Sequence, residues 1–258
     1  MRNTFAVAAK EMRSFFYSGA GVLVFFFFYV MAGIFFSLSV LSYARLSMES
    51  LKEGYQAVEG LGLTRFVFSG LFLNLGAVLL FLAPVMTMRS LAEERKLQTL
   101  ELLYTYPLSD FDIVFGKFLG LVWIFELLFL PTAGYLWILH SLGGVFDWGP
   151  ILTAYLGFWL LGGAFLSLGL FISSLTENQV VSAVVTFAVL LILWMLEWIS
   201  DAVGGSAAGF IRALSPFAHY RDFTLGILDL SHAAYFVLFH FFFLFLTMRS
   251  VETRHWKS

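Results

Sequence analysis

The sequence predicts an all-α membrane protein that crosses the bilayer six times. Of its 258 residues, 60% are hydrophobic and only 12% are charged, whereas soluble domains are about a quarter charged. Several apolar runs reach the length of about 20 residues that a helix needs to cross a bilayer core. Because backbone polar groups in lipid must satisfy one another, these runs are expected to be helices. The predicted spans are residues 19–42, 66–88, 113–139, 151–174, 179–199 and 232–248.

The first predicted span is expected to be a retained anchor. The apolar run from Gly19 to Ser42 is longer than the apolar region of a signal peptide, which has about 7 to 15 residues. Cleavage near Ser42-Tyr43-Ala44 remains an open alternative. The whole chain, 1–258, is therefore predicted to form a single transmembrane domain with the lipid bilayer as its surroundings.

Composition also narrows the classes of function. The chain has no Cys, which excludes disulfides, thiolate metal sites and thiol catalysis. The net charge of -2 gives no sign of a nucleic-acid partner, and none is expected. A Walker A motif requires G-x-x-x-x-G-K-[ST], but the only Gly-Lys, Gly116-Lys117, is followed by Phe118. If the protein uses ATP and Mg, they must bind to a separate subunit; otherwise it uses neither. No cofactor is expected in this chain.

The distribution of basic residues predicts the orientation. Placing both termini inside puts ten basic residues in the cytoplasm: Arg2, Lys10, Arg13, Arg89, Arg95, Lys96, Lys117, Arg249, Arg254 and Lys257. The other five, which are Arg45, Lys52, Arg65, Arg212 and Arg221, then lie outside. Cytoplasmic segments carry the excess of Lys and Arg, so both termini are predicted to be cytoplasmic.

Two polar segments adjoin the predicted spans on this cytoplasmic side. Thr4–Ser18 mixes basic and aromatic residues, which favours an interfacial helix over an irregular lead-in. The segment 89–112 has leucines at three- and four-residue spacing between Leu91 and Tyr104, among charged residues. That pattern predicts an amphipathic helix, with a solvated helical hairpin as the alternative. Pro107 would end this helix, and Ser109 with Asp112 resembles the cap of the next one.

Other local patterns predict packing and turns. Small residues recur in the fourth span and indicate an internal packing face, or less favourably a dimer face: Gly157, Gly162, Gly163, Ser167, Gly169 and Ser173. Thr176 with Gln179 fits a capping box for the fifth span. Tyr43–Arg65 is expected to form a short surface helix outside.

Two ionisable residues lie deep in the predicted spans. Glu126 is nine residues from Lys117, and His240 is nine residues from Arg249, so each would lie about 13 Å into the membrane. A charged carboxylate there is costly unless it is paired. A hydrogen bond between Glu126 and His240, a neutral Glu, or a role in the translocation path are the alternatives.

Several motifs follow one another along the chain. The central motif is RSLAEERK at 89–96 with TLELL at 99–103, Pro107 and Gly116-Lys117. The flanking motifs are KEMRSF at 10–15, SSLTENQ at 173–179 and SPFAHY at 215–220 with Gly226 and Asp229. Together these motifs resemble the type-2 ABC transporter permeases, most closely the gliding-motility subclass. One departure is Gln98, where that family often has Gly.

The resemblance implies half of an ATP-driven transporter, with ABC ATPase subunits docked on the segment between spans two and three. Its coupling contacts would come from Glu93, Glu94, Arg95, Lys96, Thr99 and Glu101. A second copy or a paralogue would complete the pathway. The resemblance also implies export, a prokaryotic inner membrane and an exterior auxiliary subunit. The segment 200–231 would form short interfacial or re-entrant helices, with His219 and Arg221 at an exit gate or at an exterior contact. Headgroup anchoring by Tyr220 and Arg221 is the simpler alternative.

Other classes of function are less well supported. An intramembrane enzyme needs converging catalytic groups, and Glu126 with His240 does not amount to that. An ion-coupled carrier often shows inverted repeats, and none is evident. A membrane scaffold would not require the polar segment 89–112. The carrier and the scaffold, each without an ATPase partner, remain the alternatives to a non-catalytic permease.

Overall fold

The computed structural model describes residues 2–53, 62–98 and 109–255. Within those ranges the chain is helical and has no strand. The helices are α1 (Arg2–Tyr17), α2 (Gly19–Glu53), α3 (Leu63–Thr87), α4 (Ala92–Lys96), α5 (Asp110–Phe129), α6 (Gly134–Ser141), α7 (Trp148–Leu175), α8 (Gln179–Val203), α9 (Gly205–Leu214), α10 (Pro216–Thr224) and α11 (Leu230–His255). A 3-10 turn, Leu130–Ala133, joins α5 to α6.

Among the described residues, six helical segments are long and apolar enough to cross a membrane, which confirms the predicted fold class. They are formed by α2, α3 with α4, α5 with α6, α7, α8 and α11. The first differs most from its prediction, since α2 continues without a break to Glu53. The prediction of a separate surface helix beginning at Tyr43 is therefore wrong, and its residues 54–61 lie outside the described ranges.

The third span contains Pro131, which lies in its 3-10 turn. Proline has no backbone N–H, so the Leu127 carbonyl loses its normal helical donor. The Tyr29 hydroxyl of α2 donates to that carbonyl instead, at 3.3 Å. The Leu127 carbonyl therefore keeps a hydrogen-bond donor, and this contact also ties the first span to the third.

Helix α7 lies at the centre of the bundle, and its glycines admit four neighbouring helices. A Cβ at Gly157 would lie 2.4 Å from Phe223 of α10, and one at Gly162 would lie 2.2 Å from Phe125 of α5. Gly163 faces His240 of α11, and Gly169 faces Thr87 of α3. Small residues let helix backbones approach closely, so the predicted internal packing face is confirmed.

A second small-residue face seats the N-terminal helix. Gly116 and Gly120 of α5 lie under α1, where a Cβ would meet the carbonyl oxygens of Thr4 and Ala8 at 2.8 and 2.9 Å. The Thr4 hydroxyl donates to Asp112 Oδ1 at 2.6 Å. The predicted helix over Thr4–Ser18 is therefore present, and it packs along the start of the third span.

The bundle has two distinct ends. We call the end formed by α1, α4 and the turn 176–178 the basic end, and the end formed by α9 and α10 the opposite end. At the opposite end, the Tyr220 hydroxyl donates to the Phe72 carbonyl of α3, and the Tyr220 side chain is wholly buried. This burial rules out headgroup anchoring by Tyr220, whereas the predicted short helices after residue 200 are present.

Two predicted helix caps had different outcomes. Ser109 and Asp112 form a capping box at the start of α5, as predicted. The predicted box of Thr176 and Gln179 is wrong, because Asn178 is the cap of α8: its Oδ1 accepts from the Val180 and Val181 amides at 2.9 and 3.4 Å. Thr176 instead accepts from the Asn178 amide. An Asn side chain reaches the first amides of a helix as well as Thr does.

Candidate functional site: the connector between spans two and three

The connector, residues 88–98, links α3 to the undescribed segment before α5 and contains the short helix α4. Its first amides are satisfied from another helix: Leu91 N and Ala92 N each donate to Ser173 Oγ of α7 at 3.1 Å. A helix of five residues has too few internal hydrogen bonds to be stable alone. Its position is therefore fixed by α7.

Four charged residues hold the connector to the rest of the basic end, and we call them the charge cluster: Lys10, Glu11, Glu94 and Lys117. Lys117 of α5 is wholly buried. Its Nζ lies 2.9 Å from Glu94 Oε2 and 3.1 Å from Glu11 Oε2, and it donates to the Ser90 carbonyl at 2.6 Å. An ammonium group has three donors, so all three are used.

The remaining contacts of the charge cluster balance its positive and negative charges. Lys10 of α1 lies 2.9 Å from Glu94 Oε1, and its side chain is 58% exposed. The Ser90 hydroxyl donates to Glu11 Oε1 at 2.5 Å. Two cations thus face two carboxylates, which is the condition under which a buried charge is tolerated. The cluster joins α1, the connector and α5 into one unit.

The outer side of the connector is accessible. Lys96 and Leu97 are exposed, and Glu93 and Arg95 are half-buried. A cavity of about 400 Å³ lies between Lys96 and the turn that carries Glu177 and Asn178. A second cavity of about 380 Å³ lies against the charge cluster and is lined in part by Arg89 and Glu93. The outer surface therefore presents charges of both signs beside two recesses.

The connector turns at Gln98. Gln98 has a φ of 54°, a left-handed conformation that Gly adopts most easily. This is the position at which the resembling family often has Gly, so the turn is present despite the different residue. Within the described residues, the helix predicted from Leu91 to Tyr104 ends at Lys96, and residues 99–104 lie outside the described ranges.

The predicted coupling residues fall into three groups. Glu93, Arg95 and Lys96 lie on the connector as expected, whereas Glu94 points inward to Lys117. The buried ammonium thus holds the Glu94 carboxylate inside the protein, and the coupling role of Glu94 stays a prediction. Thr99 and Glu101 lie outside the described residues.

Glu126 and His240 do not pair with each other in the described part of the chain. Glu126 Oε1 accepts from Trp159 Nε1 of α7 at 3.1 Å, and His240 Nδ1 donates to the Phe236 carbonyl one turn earlier in its own helix. Each polar group thus has a nearer partner than the other. The predicted hydrogen bond between them is wrong.

At the opposite end, both predicted gate residues make polar contacts. Arg221 pairs with Glu197 of α8 at 3.3 Å. His219 contacts His232 of α11 and the Ala213 carbonyl. Burial lowers the pKa of His219, and the neighbouring His232 adds to that effect.

Sequence reasoning missed Glu11, Lys117 and Ser173 as parts of one site. Lys117 did carry a signal, since a cation between apolar residues at the start of a span needs a partner. The partners could not be deduced, because they lie on α1 and α4, which are distant in sequence from α5. Only the fold brings them together.

Comparison with known protein families shows which family the chain belongs to. Residues 5–251 match the model of the ABC-2 family transporter proteins. The chain belongs to the ABC-2 transporter family. A comparison with curated proteins finds no match. As an ABC-2 protein it is a multi-pass membrane protein, and the family supports the role of an ABC permease.

Proposed function

We propose that this ABC-2 protein is the permease subunit of an ATP-driven exporter, and that a separate ATPase subunit acts on the bundle through the connector. The observation that carries this proposal is the attachment of the connector on three sides. Ser173 holds it to α7, Lys117 holds it to α5, and Lys10 with Glu11 holds it to α1. A force on α4 would therefore move three helices together, as rigid-body coupling requires.

The proposal divides the predicted coupling residues by position. Glu93 and Lys96, together with Thr99 and Glu101 of the undescribed segment, would contact the ATPase. Glu94 would transmit the movement inward through Lys117. Coupling between distant sites needs an element that both sites bias, and the connector with its charge cluster is the candidate.

The rest of the assembly follows from the same proposal. The basic end would face the cytoplasm of a prokaryote, with the chain in the inner membrane and both termini inside. ATP and Mg would bind to the ATPase subunits, and a second copy or a paralogue would complete the pathway. The kinship with gliding-motility permeases, and an exterior auxiliary subunit, stay predictions from sequence.

Site-specific cross-linking tests the proposed ATPase contact. The chain has no native Cys, so Leu97→Cys provides a single attachment point for a maleimide photo-cross-linker on the connector. Leu142→Cys is the matched control, because the two leucines are 61% and 60% exposed at opposite ends of the bundle. We expect Leu97→Cys, but not the control, to give an adduct whose partner contains a Walker A motif.

The contrary result is equally definite. If adducts from Leu97→Cys in host membranes contain no Walker-motif protein, the ATPase contact is absent. Such a result favours an ion-coupled carrier or a membrane scaffold. Equal labelling of the same ATPase from Leu142→Cys would mean non-specific capture and would also count against the proposal.

A further inference from the structure

Two histidines meet at the opposite end, where α10 packs on the start of α11. His219 Nδ1 and His232 Nδ1 are 2.6 Å apart. The other nitrogen of each ring also has a partner: His219 Nε2 lies 3.0 Å from the Ala213 carbonyl, and His232 Nε2 lies 2.8 Å from Asp222 Oδ2. All four ring nitrogens are therefore engaged.

The number of protons in this pair follows from its partners. The Ala213 carbonyl and the Asp222 carboxylate are both acceptors, so each Nε2 must carry a proton. The contact between the two Nδ1 atoms needs one further proton, because two lone pairs or two N–H groups would repel. Three protons on two imidazole rings leave one positive charge, and this charge faces Asp222.

We propose that His219 and His232 form a proton-binding site that clamps α10 to α11 while the two rings hold one positive charge between them. Adding a proton places two N–H groups against each other. Removing a proton from the pair leaves one of the three contacts, Nδ1 to Nδ1 or either Nε2 to its acceptor, without a hydrogen between its two atoms. The clamp is therefore weakened on either side of an intermediate pH, and the site responds to the medium that the opposite end faces.

The surrounding charges decide where the positive charge resides. Asp222 stabilises it on His232, at 2.8 Å, and Arg212 of α9 opposes it on His219. Asp229, just before α11, also interacts with His232, and the Ser231 amide donates to its Oδ1. Arg221 of α10 is paired with Glu197 of α8. Charge on His232 and a neutral His219 are the expected arrangement.

The packing around the pair couples its protonation to helix position. The Tyr235 ring of α11 stacks on His219 with centroids 4.1 Å apart, and its hydroxyl donates to the Leu214 carbonyl at 2.9 Å. On its other side, α10 is fixed to α3 by Tyr220 and to α7 by Phe223 against Gly157. Opening of the histidine contact would therefore move the start of α11 relative to an anchored α10.

Imidazole ¹⁵N NMR of the purified full-length chain tests the proton count. The five histidines are assigned by single His→Gln variants, and the rings are followed from about pH 5 to pH 8. We expect the pair to take up its protons in two steps separated by more than about one pH unit, as coupled groups do. Replacing either His219 or His232 should shift the titration of the other ring.

Two further variants separate the proposal from a loss of structure. Asp222→Asn leaves both rings in place and should lower the midpoint of the step that charges the pair. His140→Gln serves as the control, because His140 stacks on Phe146 away from the pair and should leave both rings unchanged. Independent titration of the two rings near the ordinary value of about 6.5, unaffected by Asp222→Asn, would overturn the proposal.

A distance measurement tests the clamp itself. Spin labels on Leu225→Cys, at the end of α10, and Leu238→Cys, on α11, would report the separation of the two helices. The distance should be shortest and narrowest at the pH of the singly charged pair and should broaden on both sides. A distribution that is constant across the titration would refute the clamp. The experiment needs no ATPase, so its outcome is independent of the proposed transport role.

Discussion

At the residue scale, Lys117 is the most constrained charge of the basic end. It is wholly buried, and each of its three ammonium protons has an acceptor on Glu11, Glu94 or Ser90. Taking an ion out of water is costly, and only such complete pairing offsets the cost. The same side chain therefore determines where α1 and the connector lie.

Replacing Lys117 should be strongly destabilising. Lys117→Met removes the only buried cation of the charge cluster and leaves two carboxylates facing each other, and breaking a buried ion pair costs about 3–5 kcal/mol. Lys10→Met is the control, because the Lys10 side chain is 58% exposed and exposed pairs contribute about 0–1 kcal/mol. Thermal unfolding in detergent should show a large fall in Tm for Lys117→Met only. Equal Tm values for both variants would contradict the cluster's role.

A double-mutant cycle tests the contacts of Glu126. Glu126→Ala and Trp159→Phe should be non-additive in unfolding free energy, by about 0.5–3 kcal/mol, because the two side chains share a hydrogen bond. Glu126→Ala and His240→Ala should add within about 0.3–0.5 kcal/mol. Coupling to His240 in place of Trp159 would mean that the pair predicted from sequence forms after all.

At the element scale, α4 illustrates a helix that depends on its neighbours. Its five residues are too few for an independent helix, and its first amides are capped by Ser173 from α7. Sequence periodicity predicted a helix here, and the structure confirms it from Ala92 to Lys96. The cap was not predictable, because nothing local to residues 88–98 indicates a donor or acceptor from α7.

Removal of the Ser173 hydroxyl should loosen the connector. Ser173→Ala leaves the Leu91 and Ala92 amides without an acceptor, at a cost of about 1–3 kcal/mol. Hydrogen exchange followed by mass spectrometry should show faster exchange in the peptide 88–98. Ser174→Ala is the control, since the Ser174 hydroxyl donates to the Phe171 carbonyl of its own helix. The prediction fails if exchange in 88–98 is the same in both variants.

The glycines of α7 set how closely the spans pack. Gly162→Ala would place a Cβ 2.2 Å from the Phe125 ring, and overpacking of this kind costs about 1–3 kcal/mol. Gly134→Ala is the control, because no packing neighbour in the described part of the chain lies within 4 Å of its added Cβ. We expect a lower Tm for Gly162→Ala and an unchanged or higher one for Gly134→Ala. The reverse order would contradict the central position of α7.

At the scale of the whole molecule, the spans followed from hydropathy because each is long and nearly uncharged. The mixture of basic and aromatic residues also located the N-terminal helix, and leucine spacing located the helix of the connector. The contacts between them did not follow, since Glu11, Glu94 and Lys117 are brought together only by the packing of α1, α4 and α5. The same limit explains why the sequence suggested His240 and not Trp159 as a partner for Glu126. The depth of Glu126 in the membrane was predictable, but the helix that faces it was not.

The basic end and the opposite end are joined by α7. Ser173 at one end of α7 caps the connector, and Gly157 near the other receives Phe223 of α10. Packed side chains thus form an unbroken route from the connector to the opposite end. Such contiguity does not by itself establish coupling. The account's central claim is that an ATPase acts at the start of this route.

Co-purification tests that claim most directly. The tagged chain is isolated in mild detergent from its host, as wild type, as a double variant Glu93→Lys and Lys96→Glu on the outer side of the connector, and as the surface control Glu252→Lys. The account predicts that a Walker-motif ATPase accompanies the wild type and the control but is lost from the double variant, while all three remain folded. An ATPase retained equally by all three, or absent from the wild type, would contradict it.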